Sequence, residues 1–261
     1  METEGADVSA SREASRGDEL RAAVKVVCDV VAAAVILTAV APLMALIALC
    51  ILVESRGPVF YRATRVGYRG EVLHALKFRK MWKGAAGAPL TLDGDERFTR
   101  IGHWLAVTKL DELPQLFNVV RGQMSLIGPR PEDPAFVHRH AGDFERILQI
   151  RPGITGLSQL AFASESRILD RDHPVEHYER RILPQKLQLD KLYVSRWSLR
   201  LDAQILCWTV ATVIFGIPVA VSRSNGRLAV RRRQTAMTRA PVHPPGDEQL
   251  APTPEAERLV A

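Results

Sequence analysis

The chain has 261 residues, a formal net charge of +6 and a sequence pI near 9.5. It is long enough to bury a core in one domain with extensions, and its basic balance points to an anionic partner: nucleic acid, phospholipid headgroups or a phosphorylated substrate. Its three cysteines, Cys28, Cys50 and Cys207, lie in or beside apolar stretches and form no CxxC or Cys/His cluster, which excludes a disulfide framework and predicts reduced, buried thiols.

Residues 1–20 are small and charged, without apolar periodicity, and read as a disordered leader. The membrane segment follows at 21–56. Within it VVAAAVILTAVAPLMALIALCILV, residues 30–53, carries no charge and is long enough for a membrane helix. Pro42 sits at its middle and removes a backbone hydrogen bond, so a kink or turn is expected at Ala41-Pro42. Arg12, Arg16, Arg21 and Lys25 lie before the segment and Arg56, Arg62, Arg65 and Arg69 after it. A one-way span normally has asymmetric flanks. Matched flanks suit a re-entrant helix that returns to the face it entered; a kinked span is the alternative that the residues leave open.

Residues 57–221 read as the soluble part. VFYRA and VLHALKF predict a β-hairpin around the Gly67 and Gly70 turn. From Thr99 on, helical and loop signals alternate without a βαβ repeat, and GxGxxG and GxxxxGK[ST] are both absent, so any phosphate site is built another way. Residues 205–221, ILCWTVATVIFGIPVAV, predict an interfacial helix, with a core helix as the alternative. Residues 222–261 predict a basic, Pro-rich disordered tail, in which Arg231, Arg232 and Arg233 could meet anionic lipid.

TKLDELPQL, residues 108–116, sets the adjacent carboxylates Asp111 and Glu112 among apolar residues. Thr108 with Asp111 fits a capping box; alternatively Pro114 begins a helix with the pair at its mouth. In both cases the pair lies near a helix N-terminus, where free N–H groups favour anions. Two ionised neighbours repel unless a cation stands by them, and magnesium does that while bridging phosphate oxygens. Lys77 and Arg79 in LKFRKM, Arg130 in GPRP and Arg151 in RPGITG supply positive charge, and together with the pair they suggest pyrophosphate chemistry.

LKFRKM, RFTRIGHWLAVTKLDELPQLFNVVRGQMSLIGPRP, RPGITGLSQL and LDKLYVSRWSLRLDAQIL, behind a membrane segment with a central proline, resemble the bacterial sugar transferases, the monotopic phosphoglycosyl transferases that load polyprenyl phosphate. The resemblance covers residues 25–211. It implies an α+β, mainly helical monotopic membrane protein: a re-entrant N-terminal helix, a small β-hairpin, and a cytosolic catalytic domain with interfacial helices. It implies transfer of a sugar 1-phosphate from a UDP-sugar to polyprenyl (undecaprenyl) phosphate, with UMP released, as the first membrane step of exopolysaccharide, O-antigen or glycoconjugate assembly. The implied location is the cytoplasmic face of the bacterial inner membrane.

By position, the resemblance makes Asp111 the nucleophile of a ping-pong cycle through an aspartyl phosphosugar and Glu112 its Mg2+-binding partner. Lys77 and Asp190, the latter in DxxY, match further functional positions, and Arg130 matches a phosphate-binding arginine; Arg79 and Arg151 complete the expected phosphate-binding set. Lys109 and Gln123 depart from the family pattern, which commonly has Ser before the pair and Asp in place of the glutamine. The expected partners are the UDP-sugar, polyprenyl phosphate, membrane lipids and downstream glycosyltransferases. The competing function is a catalytically silent membrane scaffold for glycan assembly, against which the intact pair and Lys77 argue. Nucleic acid is not expected, because only 6% of residues are aromatic and no recognition motif occurs.

Overall fold

The computed structural model describes residues 2–87 and 90–230, with side chains described from residue 20 onward. Helix α1 runs Glu2–Glu54. A hairpin follows, β1 Phe60–Val66 and β2 Val72–Phe78, antiparallel with Phe60 opposite Phe78 and Tyr61 opposite Lys77. The hairpin is the one the sequence predicts, with β1 beginning one residue later and ending three residues later. Next come α2 Arg100–Thr108, a 3-10 turn Leu110–Glu112, and α3 Gln115–Val120. Strands β3 Ser125–Ile127 and β4 Gly153–Thr155 pair in parallel across the short helices α4 Pro134–Arg139 and α5 Ala141–Phe144. Helices α6 Leu157–Ala161, α7 Glu165–Ile168 and α8 Pro174–His177 lead into α9 Leu183–Arg196 and α10 Leu199–Phe215. A last antiparallel pair, β5 Val219–Val221 and β6 Leu228–Val230, closes the described chain. The fold is mixed helix and sheet with one long apolar N-terminal helix.

The apolar part of α1 is divided lengthwise. Ala33, Met44, Ile47 and Ile51 recur at helical spacing on one buried stripe, while Val27, Val31, Val35, Leu46, Leu49 and Val53 are exposed. The first half of the stripe packs with Leu73, Leu116, Val119 and Met124, and the second half with Phe78 and Leu105. Polar anchors fix both ends. Lys25 Nζ lies 2.6 Å from Asp202 Oδ2 at the start of α10, and Asp29 accepts from Ser125 Oγ. At the other end, the Glu54 carboxylate accepts the free N–H groups of Arg100 and Ile101 at 2.7 and 3.1 Å and so caps α2.

Five expectations change here. The helical backbone runs through Pro42 without interruption; the lost hydrogen bond is tolerated because both halves of α1 are packed against the same domain. The backbone of the expected leader is helical from Glu2, since its Ala, Glu and Arg residues are good helix formers extending an existing helix. Cys28 and Cys207 are exposed, because the apolar stretches around them turn one face away from the protein. The helix expected over 205–221 stops at Phe215, capped by the left-handed Gly216, and residues 219–230 form a hairpin that takes in the start of the expected tail: Asn225-Gly226 makes the turn, with Gly226 at φ 69° and Ser222 N donating to Arg227 O at 2.9 Å. Residues 231–261, with the arginine cluster, lie outside the described residues.

Candidate active site

The acidic pair sits where α2 ends. Thr108 does not cap a following helix; its hydroxyl donates back to Trp104 O at 2.8 Å, so the capping box is not formed. Lys109, at φ 62° and ψ 12°, is the left-handed residue that terminates α2. The chain then makes its 3-10 turn through Asp111 and Glu112, and Pro114 precedes α3, as the second reading of the sequence expects. Leu110 and Leu113, on either side of the pair, pack against the cluster that includes α1. The dyad is thereby seated beside the apolar helix.

Each carboxylate has its own cation. Lys80 Nζ lies 3.1 Å from Asp111 Oδ2, and Asp111 is 2% exposed. Glu112 Oε1 accepts from Lys77 Nζ at 2.7 Å and from Arg130 Nη2 at 2.9 Å. Burial alone would raise the Glu112 pKa, but Arg130 and Lys77 outweigh it and hold the carboxyl well below its usual range. Burial lowers the Lys77 and Lys109 ammonium pKa values, with Arg130 adding to the effect in both. Both cations on Glu112 take the same oxygen, which leaves Oε2 for a further one. Two carboxylates completed by substrate phosphate oxygens form a donor set that fits magnesium. Among the described residues no group of three His, Cys, Asp or Glu side chains is arranged to hold a metal.

Backbone contacts aim the cations. Lys80 O accepts from Thr99 N at 3.1 Å, and Gly102 of α2 approaches so closely that a Cβ there would stand 1.8 Å from Lys80 O. Arg130 is held by the pairing of GPRP with RPGITG: Gly153 N donates to Pro129 O and Gly128 N to Thr155 O, at 2.8 and 2.9 Å. A Cβ on Gly153 would fall 2.1 Å from Gly128 N. Only glycines permit this crossing, and the flanking prolines limit the backbone on either side of the arginine.

The structure thus brings together Asp111, Glu112, Lys77 and Arg130. Asp190, on α9, lies within electrostatic range of Arg130; it is buried, its Oδ1 lacks a hydrogen-bond partner, and burial pushes its pKa up to about 7. Arg79 is elsewhere. Its guanidinium, one residue beyond the end of β2 at Phe78, donates to Ser55 O, Ser55 Oγ and Arg56 O at 2.7, 2.8 and 3.1 Å and ties down the end of α1. Arg151 donates to Gly122 O at 2.9 Å and lies over the Tyr68 ring, 5.2 Å from its centroid. Gln123 accepts from Asn118 Nδ2 at 2.8 Å, while Asn118 bonds the β2 backbone at Leu76 and His74.

Sequence reasoning missed Lys80, although it stands in the quoted LKFRKM, and a buried group centred on Lys186. Lys186 Nζ donates to Tyr178 OH at 2.7 Å, Glu132 Oε1 at 2.8 Å and Glu165 Oε2 at 3.2 Å. Two signals could have found it: Glu132 follows GPRP directly, and Lys186 precedes Asp190 by one helical turn.

Comparison with known proteins follows the same residues. Residues 20–216 match the family model described as bacterial sugar transferase. The undecaprenyl-phosphate glucose phosphotransferase of Komagataeibacter xylinus is 37% identical over 196 residues, covering 72% of this chain and 35% of that protein. A UDP-glucose:undecaprenyl-phosphate glucose-1-phosphate transferase of Caulobacter vibrioides is 38% identical over 195 residues, covering 73% and 69%. A UDP-N-acetylgalactosamine-undecaprenyl-phosphate N-acetylgalactosaminephosphotransferase of Aeromonas hydrophila is 35% identical over 193 residues, covering 72% and 43%. The chain therefore spans about a third to two thirds of the length of these curated relatives. With the family model matching most of its length, the chain belongs to the bacterial sugar transferase family.

Proposed function

We propose that this chain transfers a sugar 1-phosphate from a UDP-sugar to polyprenyl phosphate, giving polyprenyl diphosphate sugar and UMP. The observation that carries the reading is the buried acidic pair held between Lys77, Lys80 and Arg130 beside an apolar helix. It combines a nucleophile, cations for a diphosphate and access to lipid. The relatives' names, which specify sugar phosphate transfer to undecaprenyl phosphate, support the same chemistry.

In the proposed cycle an Asp111 carboxylate oxygen attacks the sugar-bearing phosphorus of the donor. The bond from that phosphorus to the bridging oxygen breaks, UMP leaves with the electron pair, and an aspartyl phosphosugar remains. A phosphate oxygen of the polyprenyl phosphate then attacks the same phosphorus and displaces the Asp111 carboxylate. Lys80 orients the nucleophile, while Lys77 and Arg130 hold Glu112 and offset charge that develops on the phosphoryl oxygens. Glu112 Oε2 and Asp111 are the groups that would hold magnesium, which supplies charge neutralisation on the donor diphosphate when bound.

The membrane arrangement in this reading is monotopic and re-entrant: the apolar segment enters and leaves on the cytoplasmic face of the inner membrane, which requires the helix, continuous in this structure, to bend in the bilayer, and Pro42 is where a bend costs least. Support comes from the polar anchors at Lys25, Asp29 and Glu54, all bound to the same domain. The exposed apolar residues of α10, Val213, Ile214 and Phe215, give a second surface for the interface. The lipid-linked product is a substrate for glycosyltransferases that extend it.

The test is to incubate the purified protein, polyprenyl phosphate in vesicles and magnesium with a panel of UDP-sugars. UMP and lipid diphosphate sugar should form in equal amounts with at least one donor. A folded protein inactive with every donor would favour the scaffold.

A further inference from the structure

The group around Lys186 includes Glu132, two residues along the chain from Arg130, and nothing in the proposed cycle uses it. Lys186 is 3% exposed and Tyr178 is 1% exposed, so the centre of this polar network is buried, while Glu132 and Glu165 are partly buried. An ammonium and a carboxylate at such depth need a reason, since an apolar pair of the same size would pack without desolvation cost. Its charges extend to the site. Glu132 is separated from Arg130 by Pro131 alone, and Arg130 is within electrostatic range of Glu132 and Glu165 as well as Glu112. Three carboxylates therefore compete for the Arg130 guanidinium.

The observed pairing resolves the competition. Arg130 donates to Glu112 at 2.9 Å. Glu132 Oε1 instead accepts from Lys186 at 2.8 Å and from Tyr178 OH at 2.8 Å, and Glu165 takes Lys186 at 3.2 Å. We infer that Lys186 is a positioning residue for the transfer: by occupying Glu132 and Glu165 it keeps the Arg130 guanidinium turned to Glu112 and the donor diphosphate. Besides Lys186, the cation that acts on Glu132 is Arg130. Burial works against the Lys186 ammonium, but Glu132, Tyr178 and Glu165 outweigh it and hold its pKa above the ordinary lysine value, so it stays charged for this task. Glu165 adds a second consequence. It begins α7 in the segment between RPGITGLSQL and α8, so the same ammonium tethers that segment to α9 and GPRPE.

The inference rests on the proposed activity and is tested with the full chain in vesicles, using whichever UDP-sugar the panel shows to be turned over. Lys186→Met should raise the donor KM about tenfold, because Arg130 swings to Glu132; loss of folded molecules alone lowers apparent kcat and leaves KM unchanged. Adding Glu132→Gln removes the competing carboxylate, and the double variant should return to within about threefold of the parent KM. Lys186→Arg should keep the parent KM. If Lys186→Met does not fold, Lys186→Gln, whose neutral amide leaves the Glu132 charge unpaired, is read in the same way. A donor KM within about twofold of the parent in the uncharged variant, or no recovery in the double variant, overturns the positioning role. A parent protein inactive with every donor overturns the proposed activity and this inference with it.

Discussion

Lys80 Nζ stands 3.1 Å from Asp111 Oδ2, and its own backbone is pinned by Thr99 and by the close approach of Gly102. The proposed nucleophile therefore has a dedicated cation, separate from the two that serve Glu112. Lys80→Met should slow formation of the phosphosugar adduct by about ten- to a hundredfold, matching the roughly 1.5–3 kcal/mol of an interaction with a charged partner. Single-turnover kinetics with donor alone would show it. An unchanged rate would remove Lys80 from the site.

Gly153→Ala places a methyl group 2.1 Å from Gly128 N, at the crossing that holds GPRP. Backbone must move, at a cost of about 1–3 kcal/mol or more. Thermal unfolding should occur at lower temperature, and turnover per folded molecule should also fall because Arg130 moves with Pro129. Parent-like values of both would contradict this role for the crossing.

Asp190 makes stability depend on pH. Burial raises its pKa from 3.8 to about 7, so between about pH 4 and 7 the folded chain binds a proton that the unfolded chain has lost, and stability falls as pH rises through that window. The effect reaches on the order of 3–4 kcal/mol at its limit. In Asp190→Asn this slope is absent. The melting temperature of the variant, relative to the parent, should be higher at pH 8 than at pH 5; an equal difference at both would rule out a raised Asp190 pKa.

Both ends of the apolar segment should lie on one side of the membrane. Cysteines placed singly at Leu20 and Arg69 in a background lacking Cys28, Cys50 and Cys207 should react with an impermeant thiol reagent from the cytoplasmic side only. Labelling of the two from opposite sides would make α1 a span.

How much was legible beforehand depends on how local the signal is. The hairpin was readable from its alternating residues and glycine turn, and the apolar helix from its length without charge. Asp111, Glu112, Lys77 and Arg130 were found through motifs, and they meet in space. Arg79 went astray because β2 ends at Phe78: strand alternation would return Arg79 to the face of Lys77, but beyond the strand the chain is free to turn it toward Ser55. Arg151 belongs to a motif whose glycine and backbone hold Arg130, a contact between segments 20 residues apart that no local pattern announces. Lys186 was invisible for the same reason: a lysine reads as solvated until tertiary packing buries it against Glu132. The continuity of α1 through Pro42 is also tertiary, since it depends on packing along both halves of the helix.

The covalent step is the central claim, and intact-protein mass spectrometry after exposure to the accepted UDP-sugar, without polyprenyl phosphate, tests it most directly. The parent should gain the mass of one sugar phosphate, located on Asp111, and later addition of polyprenyl phosphate should remove it. Asp111→Asn should fold, gain nothing and turn over no donor. Full turnover by folded Asp111→Asn, or an adduct on another residue, would contradict the proposed mechanism.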